Sequence, residues 1–165
     1  MSEESTDSFD VLCGLIRNGG VVAGVGGSNA DEIFDFLCRT VEMPEGVDGN
    51  SLKAELSERE KILSTAVGHG FAIPHPRKPI IKNESDQRII VCYPKNPIEM
   101  SSPDGTHVFV MFIMLTKETK VHLNALTDLA KLVHCLEFRQ FLETKPDAAA
   151  LVEKISFLHE SGKLG

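Results

Sequence analysis

Apolar positions along the chain switch between helical spacing and short unbroken runs, and the switches mark the elements. A helix is predicted around Val11 to Arg17, stopped by Asn18-Gly19-Gly20. Val21 to Val25 is a short apolar run. Gly26-Gly27-Ser28-Asn29-Ala30-Asp31-Glu32 then supplies a turn, a cap candidate and first-turn acids. Ile33, Phe34, Leu37, Cys38 and Val41 recur at helical spacing until Pro44-Glu45-Gly46 interrupts. A further helix is predicted from Ser51 to Leu63, with Leu52, Leu56 and Ile62 toward the core. Phe71 to Ile73 and Arg88 to Tyr93 read as strands, with Asn83-Glu84-Ser85-Asp86 as an exposed loop between them.

Val108 to Leu115 shows no polar alternation, the signature of a central strand covered on both faces. Beyond Thr116 to Lys120, a helix is predicted to hold Leu123, Leu126, Leu129, Val133 and Leu136. Phe138 to Leu142 and Ala148 to Leu158 read as two shorter helices separated by Pro146. Strands and helices mixed in this order predict an α/β fold, a sheet with helices packed on both faces. The pattern alone leaves the strand order open. Residues 1 to 9 are expected to be a flexible solvated tail, and residues 10 to 165 a single domain, which suits a chain of 165 residues.

Charge narrows the function classes. The net charge is -7 and no basic run is present, whereas binding nucleic acid needs a cationic footprint that displaces counterions from phosphates. Nucleic acid is therefore not an expected partner. The longest apolar run, Val108 to Leu115, falls far short of the ~20 residues of a membrane span, so no membrane insertion is expected. The polar, acidic start Met1-Ser2-Glu3-Glu4-Ser5-Thr6-Asp7 lacks the form of a signal peptide, and a cytoplasmic location is expected. Cys13, Cys38, Cys92 and Cys135 have no paired spacing and are read as reduced thiols.

The stretch from Arg59 to Arg77 holds the candidate chemistry. His75 lies between Pro74 and Pro76, after the glycine-interrupted segment Ala66-Val67-Gly68-His69-Gly70-Phe71-Ala72-Ile73. Each proline fixes its own φ and pushes the preceding residue toward extended geometry, so the backbone around His75 is held out of helix. A rigid loop presenting an imidazole suits nucleophilic or acid/base work, because histidine titrates near ~6.5 and offers a ring lone pair. A second histidine, His122, opens the helix at Val121-His122-Leu123-Asn124-Ala125-Leu126, where a helix start favours anions. No histidine or cysteine spacing suggests a metal site. Gly24-Val25-Gly26-Gly27-Ser28 lacks the third glycine of a dinucleotide fingerprint, with Asn29 in its place, and is read as strand, turn and cap.

These residues form the pattern R-E-x-x-x-S-T-x-x-G-x-G-x-A-I-P-H followed by H-L-x-x-L-x-x-L-A. It resembles the mannitol/fructose-type IIA domains, the EIIA type-2 group, of the bacterial phosphotransferase system. The continuation A-I-P-H-P-R resembles the nitrogen-type, PtsN-like branch. The likeness spans roughly residues 19 to 158 and implies a three-layer α/β/α sandwich with a mixed sheet. It implies that His75 accepts a phosphoryl group from a phosphocarrier protein of the HPr or NPr type. His122 would hydrogen-bond the phosphoryl oxygens, Arg59 would lie beside the phosphohistidine, and Thr65 would orient a ring nitrogen or phosphate oxygen. Donor and acceptor are both nitrogens, so no metal or other cofactor is implied. The family usually carries a small polar residue, often asparagine, where His69 stands.

The resemblance leaves three outputs: a phosphorylation-dependent regulator acting on a target protein, a sugar-system IIA component feeding a IIB component, or a non-catalytic binding module of the same fold. The acidic balance of the chain suits a carrier whose active-site face is basic.

Overall fold

A computed structural model describes residues 7–165. Its elements run α1 (Ser8–Gly19), β1 (Val21–Val25), α2 (Ala30–Thr40), α3 (Gly49–Ile62), β2 (Ala66–Gly68), β3 (Phe71–Ala72), β4 (Arg88–Pro94), β5 (Val110–Leu115), α4 (Thr119–Val133), α5 (Leu136–Leu142) and α6 (Ala148–Glu160). The five strands form one mixed sheet in the order β1-β4-β5-β3-β2. β1 lies parallel to β4 and β3 parallel to β5, while the β4–β5 and β2–β3 pairs are antiparallel.

The unalternating apolar runs behave as their pattern requires. Successive residues of a strand point to opposite faces, so a run buried throughout needs cover on both sides. Ile89, Val91, Val110, Phe112 and Met114 enter one core with residues of α1, α4, α5 and α6. Ile90, Cys92, Met111, Ile113 and Leu115 enter the other with residues of α2 and α3. The fold is the three-layer α/β/α sandwich. Cys13, Cys38 and Cys92 are buried, Cys135 is half-buried, and none forms a disulfide.

Several elements shift from their predicted bounds. Of the expected tail, residues 1–6 lie outside the described residues. Residues 7 to 9 are ordered: the Asp7 side chain caps α1 by accepting from Phe9 N–H, and Phe9 is 5% exposed in the core. Ile62, expected in the core, is 63% exposed, because the buried positions of α3 end at Leu56 and Ser57. The α4 stripe is Ala125, Asp128, Leu129, Leu132 and Val133; Leu123 is exposed, and Leu136 is exposed at the start of α5. β5 begins at Val110, with Val108 pairing Ile98 in an isolated bridge. The glycine-rich segment after β1 is a turn into the Asn29 cap of α2, as read from its pattern.

Candidate active site

The sheet topology brings the two histidines together. β3 and β5 are parallel neighbours, so their carboxyl ends emerge on the same side. His75 follows β3, and Pro74 continues the pairing by accepting from Met114 N–H at 2.8 Å. α4, which carries His122, follows β5. Crevices beyond the carboxyl ends of strands are the usual ligand sites of open α/β sheets. Here the crevice is a cleft of roughly 240 Å³ whose lining includes Arg59, His75, Arg77, Thr116, Lys117 and His122. Arg59 comes from the last turn of α3.

The rings of His75 and His122 lie with centroids 5.0 Å apart and planes at 72°. His75 Nδ1 is 2.9 Å from the Ile73 carbonyl oxygen. A carbonyl only accepts, so Nδ1 carries the proton and the neutral ring keeps its lone pair on Nε2. His122 Nδ1 is 2.9 Å from the Thr116 hydroxyl. With that hydroxyl donating, His122 carries its proton on Nε2, complementary to His75.

Both histidines are held below their ordinary pKa, mainly by burial. For His75 the Ile73 carbonyl and Glu60 pull the other way, while Arg59 depresses it further; for His122 the neighbouring His75 adds to burial. Each ring is therefore neutral at pH 7, the state in which a histidine is a nucleophile or an unpaired donor. Arg59 donates to the Leu63 carbonyl at 2.6 Å, which ties its guanidinium to the end of its own helix while it lines the cleft.

Thr65 is placed differently from its expected contact. It is 5% exposed, its N–H and hydroxyl both donate to the Glu60 carboxylate at 3.0 and 2.7 Å, and it does not line the cleft. Its carbonyl accepts from Ile73 N–H at 3.0 Å. The result is a chain of contacts from Glu60 through Thr65 and Ile73 to His75 Nδ1. The threonine that touches a ring nitrogen is Thr116, at the end of β5. Its place six residues before His122, where the apolar run stops, was the one available sequence signal. Gln87 is a second residue the motif did not mark. Buried, its side-chain oxygen accepts from Lys117 and Glu118 N–H at 2.9 and 3.1 Å, fixing the entry to α4. His122 N–H bonds the Glu118 carbonyl, so the unsatisfied donors of this helix start precede it.

His69 has a conformational explanation. It sits between Gly68 and Gly70 in the β2–β3 turn with φ +56°, its N–H bonded to Asp104 at 2.8 Å. That is a left-handed position, where asparagine, aspartate and histidine are the side chains most often tolerated. Histidine is thus one of the side chains that this backbone position accepts. Among the described residues, no group of three or more His, Cys, Asp or Glu side chains gathers to hold a metal ion, and no helix is long and apolar enough to cross a membrane.

The chain is similar to proteins of known type. The chain is 28% identical over 143 residues to a nitrogen regulatory protein of Pseudomonas aeruginosa, covering 84% of this chain and 90% of that one. It is 29% identical over 131 residues to multiphosphoryl transfer protein 1 of Escherichia coli, covering 76% of this chain but only 15% of that much longer protein. In structure it is similar to the nitrogen regulatory protein IIA-Ntr of Neisseria meningitidis, with a TM-score of 0.68 and 23% identity, over 84% of this chain and 94% of that one. Residues 15–157 match the EIIA 2 family of the phosphoenolpyruvate-dependent sugar phosphotransferase system, and the chain belongs to that family.

Proposed function

We propose that the protein is a phosphohistidine relay whose phosphorylation state governs its binding to a target protein. The neutral Nε2 of His75 attacks the phosphorus of a phosphohistidine carrier of the HPr or NPr type. The new N–P bond forms as the old one breaks, the bonding pair returns to the carrier's ring, and the Nδ1 proton of His75 stays against the Ile73 carbonyl. Negative charge spreads over three phosphoryl oxygens in the transition state. Arg59 and, with the Thr116 hydroxyl donating to Nδ1, the Nε2–H of His122 would be the donors that meet it. The observation that carries the reading is the edge-to-face His75–His122 pair at 5.0 Å inside a cleft that Arg59 also lines. A binding module without phosphoryl chemistry has no need for all three.

The regulatory output rests on likeness to nitrogen regulatory proteins in sequence, and in fold to one of them. Likeness to a multiphosphoryl transfer protein supports the alternative of a IIA component that hands its phosphoryl group to a IIB component. Incubation with a phosphorylated carrier, followed by mass mapping at alkaline pH, is expected to place the label on His75 and nowhere else. His75→Ala should remain folded and unlabelled. Pull-downs with the wild type and His75→Asp should recover different partners. Restored uptake of a sugar in cells supplying IIB and IIC components would instead establish the transport reading.

A further inference from the structure

A second crevice, of roughly 390 Å³, lies between the start of α2, the C-terminal half of α3 and the segment from Glu99 to Ser101. It shares no lining residue with the His75 cleft. Asp31, Glu60 and Glu99 bring three carboxylates to it, and Leu63 and Met100 add apolar surface. Lys61 is the one cation among its lining residues, and it pairs at 3.7 Å with Glu58, which is outside that lining. The crevice is therefore acidic where the cleft is basic.

One wall holds a buried polar group with nothing to bind. Ser57 lines the crevice at 6% exposure, and its hydroxyl has no hydrogen-bond partner among the described residues. Burying a hydroxyl without a partner is unfavourable, and a donor entering the crevice would satisfy its oxygen. Glu99 accepts from Ser101 N–H at 2.6 Å and lies 3.7 Å from His107 Nε2, contacts that leave lone pairs on its oxygens. Among the described residues no three His, Cys, Asp or Glu side chains gather to hold a metal ion. An organic cation, with a carbon chain for the apolar wall, is the complement of this mixture.

We propose that the crevice binds a small alkylammonium ligand, its charged head among Asp31, Glu60, Glu99 and the Ser57 hydroxyl and its chain against Leu63 and Met100, and that through Glu60 the bound cation acts on His75. An ammonium group has three donors and no acceptor, which suits carboxylates and one unpaired hydroxyl oxygen. Glu60 belongs both to the crevice and to the chain of contacts behind His75. Its oxygens accept from the Thr65 N–H and hydroxyl, and Thr65 and Ile73 lead from there to His75 Nδ1. Each oxygen keeps a second lone pair, so a ligand can join without displacing Thr65. Burial holds the His75 pKa low, and the negative charge of Glu60 acts in the opposite direction. A cation bound at Glu60 offsets that charge and lowers the His75 pKa further. The site stands apart from the relay reading, since binding and the state of the His75 ring are both measured without phosphoryl transfer.

The probe is butylamine, protonated at pH 7, with 1-pentanol as an uncharged chain of similar length. In NMR titrations of the full chain, butylamine should saturate with a Kd of about 1 mM or below, and pentanol should bind at least ~10-fold more weakly. The amides of Ser57, Glu60 and Ser101 should shift most. Ser57→Ala and Glu99→Gln should each weaken butylamine at least ~5-fold. Glu99 is exposed, so Glu99→Gln tests the site independently of any disturbance that Ser57→Ala causes in the core. The nitrogen-15 titration midpoint of His75 should move to lower pH when butylamine is bound. Failure to saturate by ~50 mM butylamine, equal binding of pentanol, or unchanged affinity in Glu99→Gln overturns the site. Saturable binding that leaves the His75 midpoint where it was overturns the link through Glu60.

Discussion

His75 and His122 meet edge to face, their ring centroids 5.0 Å apart, with each Nδ1 taken by a different neighbour: the Ile73 carbonyl for one, the Thr116 hydroxyl for the other. The carbonyl fixes a lone pair on Nε2 of His75, and His122 takes the opposite tautomer, with a proton on Nε2, when the Thr116 hydroxyl donates. Under the proposed relay, that combination separates nucleophile from donor by hydrogen bonding, in a pocket where burial lowers the pKa of both rings.

His122→Ala should slow transfer to His75 by about 10²- to 10³-fold, the usual cost of losing one donor to a developing oxyanion. The final extent of labelling should be unchanged, because the acceptor nitrogen is intact. Thr116→Val, which releases Nδ1 of His122 to either tautomer, should cause a smaller loss. Single-turnover rates from a phosphorylated carrier check both, and an unchanged rate for His122→Ala excludes a role for that ring.

Transfer should depend on pH through His75. The reactive form is the neutral ring, and burial lowers its pKa below the ordinary ~6.5. The rate should therefore be level at pH 7 and fall on acidification, with its midpoint below 6.5. Folding stability follows the same sign. The unfolded chain binds more protons than the native state between the native and unfolded pKa values, so stability is lost as pH drops through that window. A nitrogen-15 NMR titration of both rings, alongside the rate profile, measures the midpoints. A midpoint above 6.5 for His75 would contradict the desolvated site.

Glu60→Ala should destabilise the protein by about 2–3 kcal/mol, since it strips the acceptor from a buried N–H and a buried hydroxyl of Thr65. It should also slow transfer, because the Ile73 carbonyl that sets the His75 tautomer is registered through Thr65. Glu60→Gln retains an acceptor for the N–H and should lose less of both. Denaturant melts and single-turnover rates together test the connection. Slowed transfer without any loss of stability would mean that Glu60 acts on His75 by charge and not by position.

Asp128 is buried at 2% exposure in α4, with one carboxylate oxygen unpartnered, and burial raises its pKa. A raised native pKa means that its protonated form is the better folded one, so the native state weakens as pH rises through that value. Asp128→Asn should therefore be more stable than wild type at pH 7, with the advantage shrinking toward pH 3. Thermal melts across that range provide the measurement, and a variant less stable at pH 7 would show that the charge is favourably compensated.

The sequence alone determined the layers and the backbone of the principal loop. Unalternating runs such as Val108 to Leu115 need cover on both faces of the sheet, and the Pro74-His75-Pro76 backbone is held out of helix. Both are properties of local stereochemistry and solvation, which a linear pattern records. The tertiary structure decided where Thr65, Thr116, Gln87 and the loose ends of α3 and α4 lie. Thr65 reads in the motif as a site residue, yet it turns to Glu60, because a buried hydroxyl takes the strongest acceptor within reach. Gln87 acts across strands on Lys117, and Thr116 bridges the β5–α4 connection to His122, contacts that no periodicity encodes. Net charge likewise gave a sum without a map. Only the fold gathers Arg59, Arg77 and Lys117 at the carboxyl ends of β3 and β5, placing a basic cleft on an acidic chain.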